Sequence, residues 1–428
     1  MTRQLAKDTH AAAIEPDAPI FDGEAFRLTD QEVDLTGRAR HLGQTVFADR
    51  AEQWDRDAIF PTENYKDMHE HGLLGICVPK DHGGEGATFR AYCLSAAEIG
   101  RYCGTTALTW NMHVCSCLWT GALADDLDLT DDQRARHESG RALHYDRIVK
   151  EGAIYSQPFS EGSAAAAGFQ PFSTQARKVD GGYKVTGRKI FASLAGHADY
   201  YGVLCTLMHD DREPSMRDTL YLSIPADADG VQVVGDWDPL GMRGTVSRTL
   251  LFDDVMVEDA AELMPQGVYF LAASSWPHMF MTLSPTYMGI AQAAYDFTVR
   301  YLRGEVPGTP PVKRRMYPTK QIAVAEMRIK LEAAKALWFQ AISEARCKPT
   351  KEQVLRAYAT NYTVMETAND LCRLAIRTCG GQSMLKSLPL ERLYRDSRCG
   401  ALMLPWTAEL CLDRIGREAL YEAGEKDE

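Results

Sequence analysis

Apolar and polar positions follow a helical period at both ends of the chain and a two-residue alternation between them. From residue 29 to about 151 the pattern is helical, and Thr29-Asp30-Gln31-Glu32 supplies a starting cap at Thr29 or Asp30. Gly83-Gly84-Glu85-Gly86 must be a loop, because so many glycines cost too much inside a helix, and a longer helix is predicted from about Phe89 to Arg101. Near Ala153 the pattern changes. Residues 184–187, 190–193, 219–223 and 250–255 alternate as strands do, and Asp180-Gly181-Gly182 reads as a hairpin turn. Past about Glu262 the helical period returns. Val324, Met327, Leu331, Ala334, Trp338, Ala341 and Ala345 make a narrow apolar stripe that suits a bundle core or a subunit contact. Thr350-x-x-Gln353 is a capping box, and Gly380-Gly381 ends the helix it opens. The pattern predicts a loose arm (1–28), a helical domain (29–152), a compact β domain (153–262), a helical bundle (263–420) and a tail (421–428).

Composition narrows the class. The chain has 428 residues, 45% of them hydrophobic, ample for a large core. A formal net charge of −12 argues against a nucleic-acid binder, although Lys313, Arg314 and Arg315 form a local cluster that suits a phosphate or a solvated loop. The 11 cysteines have no framework and no Cys-x-x-Cys, so buried free thiols in a reducing cytoplasm, with no metal, are expected. The first 19 residues lack the apolar centre of a signal peptide, and no apolar run approaches the roughly 20 residues that span a bilayer.

Five motifs stand in order: Pro79-Lys80-Asp81-His82-Gly83-Gly84-Glu85-Gly86; Gln157-Pro158-Phe159-Ser160-Glu161-Gly162-Ser163; Gly187-Arg188-Lys189-Ile190-Phe191-Ala192-Ser193; Asp238-Pro239-Leu240-Gly241-Met242-Arg243-Gly244-Thr245 with Phe252-Asp253-Asp254-Val255; and Gly380-Gly381 leading to Glu391-Arg392 and Arg395-Asp396. Together they resemble the acyl-CoA dehydrogenase superfamily. The resemblance implies an N-terminal α-helical domain, a middle β-barrel and a C-terminal four-helix bundle. It also implies FAD (FMN as the alternative), a homotetramer built from dimers, and an acyl-CoA or related thioester as substrate. Tyr155, Ser156, Phe191, Ser193 and Thr407 are the implied flavin-side residues, with Gly162 and Ser163 at the pyrophosphate side and Arg303, Arg377, Gly380 and Gly381 toward the adenosine end. Residue chemistry agrees for the ring: Phe191 offers a flat apolar face, and the Ser156 and Ser193 hydroxyls can donate hydrogen bonds. The adenosine end departs from the family, since residues 303–311 lack an Arg-x-x-Phe-Gly and Gln382-Ser383 replaces x-Gly.

Thioester dehydrogenation needs a general base for the α-proton. The family's usual glutamate falls at Leu404 or Pro405 here, and its alternative position falls in 276–281, which holds no acid. Glu409, His278 and Glu161 are the substitute candidates. Glu409 reads equally well as a first-turn carboxylate complementing the helix dipole, and His278 as a packed histidine. Three readings stay open. A substitute base serves dehydrogenation with an electron acceptor. The chain is a monooxygenase using O2 and reduced flavin from a reductase. Or it binds thioester or flavin without turnover. Trp110, Met112, His113, Trp119, Met279, Tyr287 and Leu404 are candidate pocket residues, with core packing as the alternative for each.

Overall fold

The computed structural model describes residues 17–162, 168, 170–422 and 425. Ser163 therefore lies outside the described residues.

The N-terminal helical part comprises α1 (Asp30–Leu42), α2 (Ala48–Asp57), α3 (Thr62–Glu70), α4 (Phe89–Tyr102), α5 (Gly104–Leu118) and α6 (Asp131–Glu151). Thr29 caps α1 in a reciprocal box with Glu32, and Arg90 grips the same carboxylate through two bonds of 2.6 and 2.8 Å. The cap thus ties α1 to α4. Helix α5 is buried on nearly all sides.

The alternating stretches form one sheet. Its strands are β1 (Tyr155–Ser156), β2 (Gln175–Val179), β3 (Gly182–Ala192), β4 (Tyr200–Leu207), β5 (Thr219–Pro225), β6 (Val231–Val234), β7 (Arg248–Glu258) and β8 (Glu262–Met264). Their order is β6-β7-β3-β2-β4-β5-β8, with β1 against β4. Asp180-Gly181 closes the β2–β3 hairpin as expected, since Val179 pairs with Gly182. The β3–β7 ladder slips between Lys189 and Ala192, and Phe191 sits in that slip at φ 50°. The irregularity re-aims its side chain outward, leaving it 67% exposed.

The C-terminal part comprises α7 (Val268–Ser275), α8 (Ser284–Arg303), α9 (Pro318–Ser343), α10 (Lys351–Cys379), α11 (Pro389–Cys399) and α12 (Ala408–Leu420). Thr350 and Gln353 make the expected box at the start of α10, and Gly380 stops it at φ 88°. Met327, Leu331 and Trp338 are fully buried within this chain, so the stripe on α9 serves its own core. Helices α4 and α8 cross at backbone contact. A Cβ on Gly289 would lie 2.3 Å from the Ala97 carbonyl oxygen, and one on Gly100 would lie 2.7 Å from that of Thr286. Beside the crossing, Arg101 and Asp296 form a buried pair at 2.6 Å.

Residues 17–28 correct the expectation of a loose arm. Ile20 and Phe21 are buried, Phe21 stacks on Trp338 at 5.4 Å, and the Ile20 N–H donates to Glu98 at 2.7 Å. Burial of two large apolar side chains outweighs the polar character of their surroundings.

Candidate active site

A cavity of about 440 Å³ lies where the three parts meet. Met112 and Trp119 line it from the α5 region, Phe191 and Ser193 from the end of β3, Met279 and Phe280 from the segment before α8, and Leu404 and Pro405 from the segment before α12. Among the described lining residues there is no Asp, Glu, His, Lys or Arg. Cys115 and Cys399 are the only titratable groups there, and burial raises both thiols, that of Cys399 to about 12. None of the described lining residues is ready to accept a proton.

Its polar edge is a chain of hydroxyls. Ser193 Oγ lies 2.8 Å from Ser247 Oγ, which lies 2.7 Å from Thr245 Oγ1. Thr245 donates to the Met242 carbonyl at 2.8 Å. That last bond sets the direction of the chain. With the Thr245 proton committed, Ser247 donates to Thr245 and Ser193 donates to Ser247, so Ser193 turns lone pairs toward the cavity. Gln157 also lines the cavity, buried, and its amide Nε2 has no partner. A flat ring at Phe191, an acceptor at Ser193 and a spare amide donor at Gln157 fit a planar heteroaromatic group such as a flavin.

Sequence comparison agrees with that fit. Family models for the acyl-CoA dehydrogenase N-terminal, middle and C-terminal domains match residues 29–124, 159–255 and 281–403. The chain belongs to the acyl-CoA dehydrogenase family. It is similar to a probable acyl-CoA dehydrogenase, YngJ, of Bacillus subtilis, at 25% identity over 87% of this chain and 94% of that one. Its fold is similar to KijD3 in complex with FMN and a dTDP-linked amino-keto sugar (TM-score 0.77, 22% identity, 94% of this chain and 96% of that one). It is also similar to the dibenzothiophene monooxygenase TdsC from Paenibacillus sp. A11-2 (TM-score 0.72, 22% identity, 90% and 97%). Acyl-CoA dehydrogenase family members are flavin-dependent oxidoreductases, and this chain is one.

In this acyl-CoA dehydrogenase family member, Gly162, Phe191, Ser193, Met279 and Leu404 line the cavity. Met279 and Leu404 thus put apolar side chains into the cavity from both of the family's base-bearing segments. Ser156 stands behind the wall and donates to the Ser193 carbonyl at 2.6 Å, bracing it. Tyr155 and His113 lie one layer further back. His113 donates from Nε2 to the Leu74 carbonyl and accepts the Tyr155 N–H at Nδ1, both at 3.0 Å, and burial lowers its pKa to about 4. Trp110 is core, its indole N–H on the Leu73 carbonyl at 3.2 Å, and Tyr287 backs Met403.

The substitute bases are elsewhere. Glu409 is exposed on the first turn of α12, whose N-terminus Thr407 caps. His278 is buried and does not line the cavity; burial lowers its pKa to about 4. Glu161 is committed to Lys189 at 2.7 Å and accepts from Ser173 and Thr174. Arg303, Arg377, Gly380 and Gly381 sit at the ends of α8 and α10, away from the lining. Sequence reasoning assigned no role to Gln157, Thr245 or Ser247, although the first two lie inside quoted motifs.

The wall formed by residues 237–245 is clamped from α11. Asp396 accepts the Met242 N–H at 2.5 Å, and a Cβ on Gly241 would lie 2.4 Å from the Arg395 carbonyl oxygen. Arg395 in turn holds Asp55 of α2 through bonds of 3.0 and 2.6 Å. Burial raises the Asp396 carboxyl to about 6, against the lowering effect of the Met242 bond.

Proposed function

We propose that this chain is a flavin-dependent monooxygenase, which takes reduced flavin from a reductase and O2 and oxygenates an apolar small molecule. A cavity whose described lining holds no acid or base carries this reading. Dehydrogenation of an acyl thioester requires a positioned proton acceptor, and oxygenation does not route through that step. Reduced flavin, when bound, supplies the two electrons: substrate–H, O2 and reduced flavin give substrate–OH, water and oxidised flavin. Phe191 would hold the ring by its flat face, Met279 and Leu404 would exclude water from the cavity, and Ser193 would accept a hydrogen bond from the group. FAD is the cofactor that the family implies. FMN also suits the observed lining, which lacks the adenosine-end residues. The homo-oligomer remains part of this proposal, with exposed Ile322 and Ile329 on the outer face of α9 as its contact with a second copy. No described helix is long and apolar enough to cross a membrane, and a cytoplasmic location is proposed. A single turnover of the reduced protein under ¹⁸O2 should leave one ¹⁸O atom in the product. Label-free product, or a desaturated one, overturns the reading.

The direction of the hydroxyl chain makes a second expectation. An acceptor at Ser193 favours a flavin that presents an N–H, as the reduced ring does. Ser247→Ala lets Ser193 rotate and donate instead. The ratio of oxidised to reduced flavin dissociation constants should then fall about fivefold, the worth of one hydrogen bond. Anaerobic titration with each redox form measures it, and an unchanged ratio counts against the assigned direction.

A further inference from the structure

A second hollow of about 260 Å³ opens beside the cavity. Phe159, Phe280 and Pro405 line both, so two aromatic rings, with centroids 6.5 Å apart at 74°, form part of the boundary. The rest of the outer chamber continues in kind. Trp406 lies 5.9 Å from Phe280 and 4.5 Å from Tyr358, while Phe172, Tyr269 and Phe270 complete the aromatic lining.

Both of its aliphatic hydroxyls are committed. Thr219 donates to the Met216 carbonyl at 2.7 Å, and Ser274 donates back into its own helix at 2.9 Å. Arg414 is the only charged residue among the described lining. It donates to the Tyr358 hydroxyl at 3.0 Å and lies over that ring. A pantetheine arm carries two amides that lose their water partners on entry and find few here. An aromatic ring needs only faces and edges, which this chamber supplies on several sides. The volume suffices, since a cavity of about 150 Å³ already accepts benzene.

We propose that the outer chamber holds the second ring of a substrate with at least two joined aromatic rings, whose reacting ring lies in the inner cavity. The proposal rests on the monooxygenase reading for what happens to the inner ring. The chamber's preference for an aryl group over a thioester arm is a matter of binding alone.

Titration calorimetry of the oxidised flavoprotein with 4-phenylphenol and with phenol tests it without turnover. The biaryl should bind at least about tenfold more tightly, the return on burying one further ring. Ala273→Trp fills the chamber and should bring the biaryl down to the affinity of phenol, with phenol unchanged. Phe270→Ala, which opens the chamber rather than blocking it, should weaken only the biaryl, about fivefold. Each variant is compared at a melting temperature within a few degrees of the parent. Equal affinities for biaryl and phenol overturn the proposal, as does displacement of the biaryl by 4′-phosphopantetheine. A failed ¹⁸O experiment leaves these affinities standing, and failed affinities leave the oxygen label standing, so the two ideas fall separately.

Discussion

Anaerobic mixing with a saturated straight-chain acyl-CoA leaves the flavin of this protein oxidised, and Leu404→Glu makes it bleach. Loss of a general base removes about 10²- to 10⁴-fold in rate, and the substitution should restore a large part of that. Leu404 lines the cavity, in the segment where the family resemblance puts a glutamate. A carboxyl there would sit in a mostly apolar hollow, where burial raises its proton affinity and suits it to take a proton from carbon. Stopped-flow absorbance at the flavin band gives both rates. Rapid bleaching of the unaltered protein by a plain acyl-CoA would sink the monooxygenase reading, and Gln substitutions at Glu409 and His278 would then show which of them acts as base.

Glu161→Gln lowers stability by about 3–5 kcal/mol, because it leaves the Lys189 ammonium buried without a counter-charge. Both side chains of the pair are almost completely shielded from solvent. Lys189 also donates to the Leu204 carbonyl at 2.7 Å and lies over the Phe172 ring at 4.5 Å, so it cannot swing out to water without giving up both contacts. The double change Glu161→Gln with Lys189→Met should recover much of the loss, since no charge then remains inside. Burial alone would push the Glu161 carboxyl up. The Lys189 ammonium and the Ser173 and Thr174 donors outweigh that and hold it below the ordinary carboxylate range. A depressed folded value means that the carboxylate stabilises the fold above its unfolded pKa of about 4.3, and that this is lost as pH falls through the lower folded value. Thermal unfolding between pH 7 and 3 should show that acid limb in the parent and a flatter one in Glu161→Gln. An unaltered melting temperature in Glu161→Gln at pH 7 would mean that the pair contributes nothing.

Much of this could be read before any coordinates. The Thr29 and Thr350 boxes are local and declare themselves by spacing, and β3 and β7 alternate because one face meets the core, whereas β5 alternates in residue type although it is buried along almost its whole length. Strand β4 is buried along most of its length, so its residues Tyr200–Leu207 show no alternation to find. That Leu404 and Pro405 stand where the resemblance puts a glutamate was legible, because a motif position either holds an acid or does not. Which residues face the cavity was less so. Helix α5 is surrounded, hence no polar side marks its orientation. Met112 reaches the cavity while Trp110 and His113, its neighbours in sequence, serve the core. The hydroxyl chain joins residue 193 to 245 and 247 only because the β3–β7 ladder pairs Ala192 with Arg248, and no spacing along the chain announces that.

The glycine crossing of α4 and α8 has a mechanical consequence. Two helices whose backbones touch cannot slide or roll past each other by a side-chain rearrangement, because no side chain lies between them at Gly100 and Gly289. The first helical part and the bundle are therefore joined along this crossing as one stiff body. Residues 237–245 are tied to that body through the Met242 N–H on Asp396 and the Leu240 carbonyl on Arg395. Room for a bulky guest therefore comes from the side chains that line the cavity, not from a change in the spacing of α4 and α8.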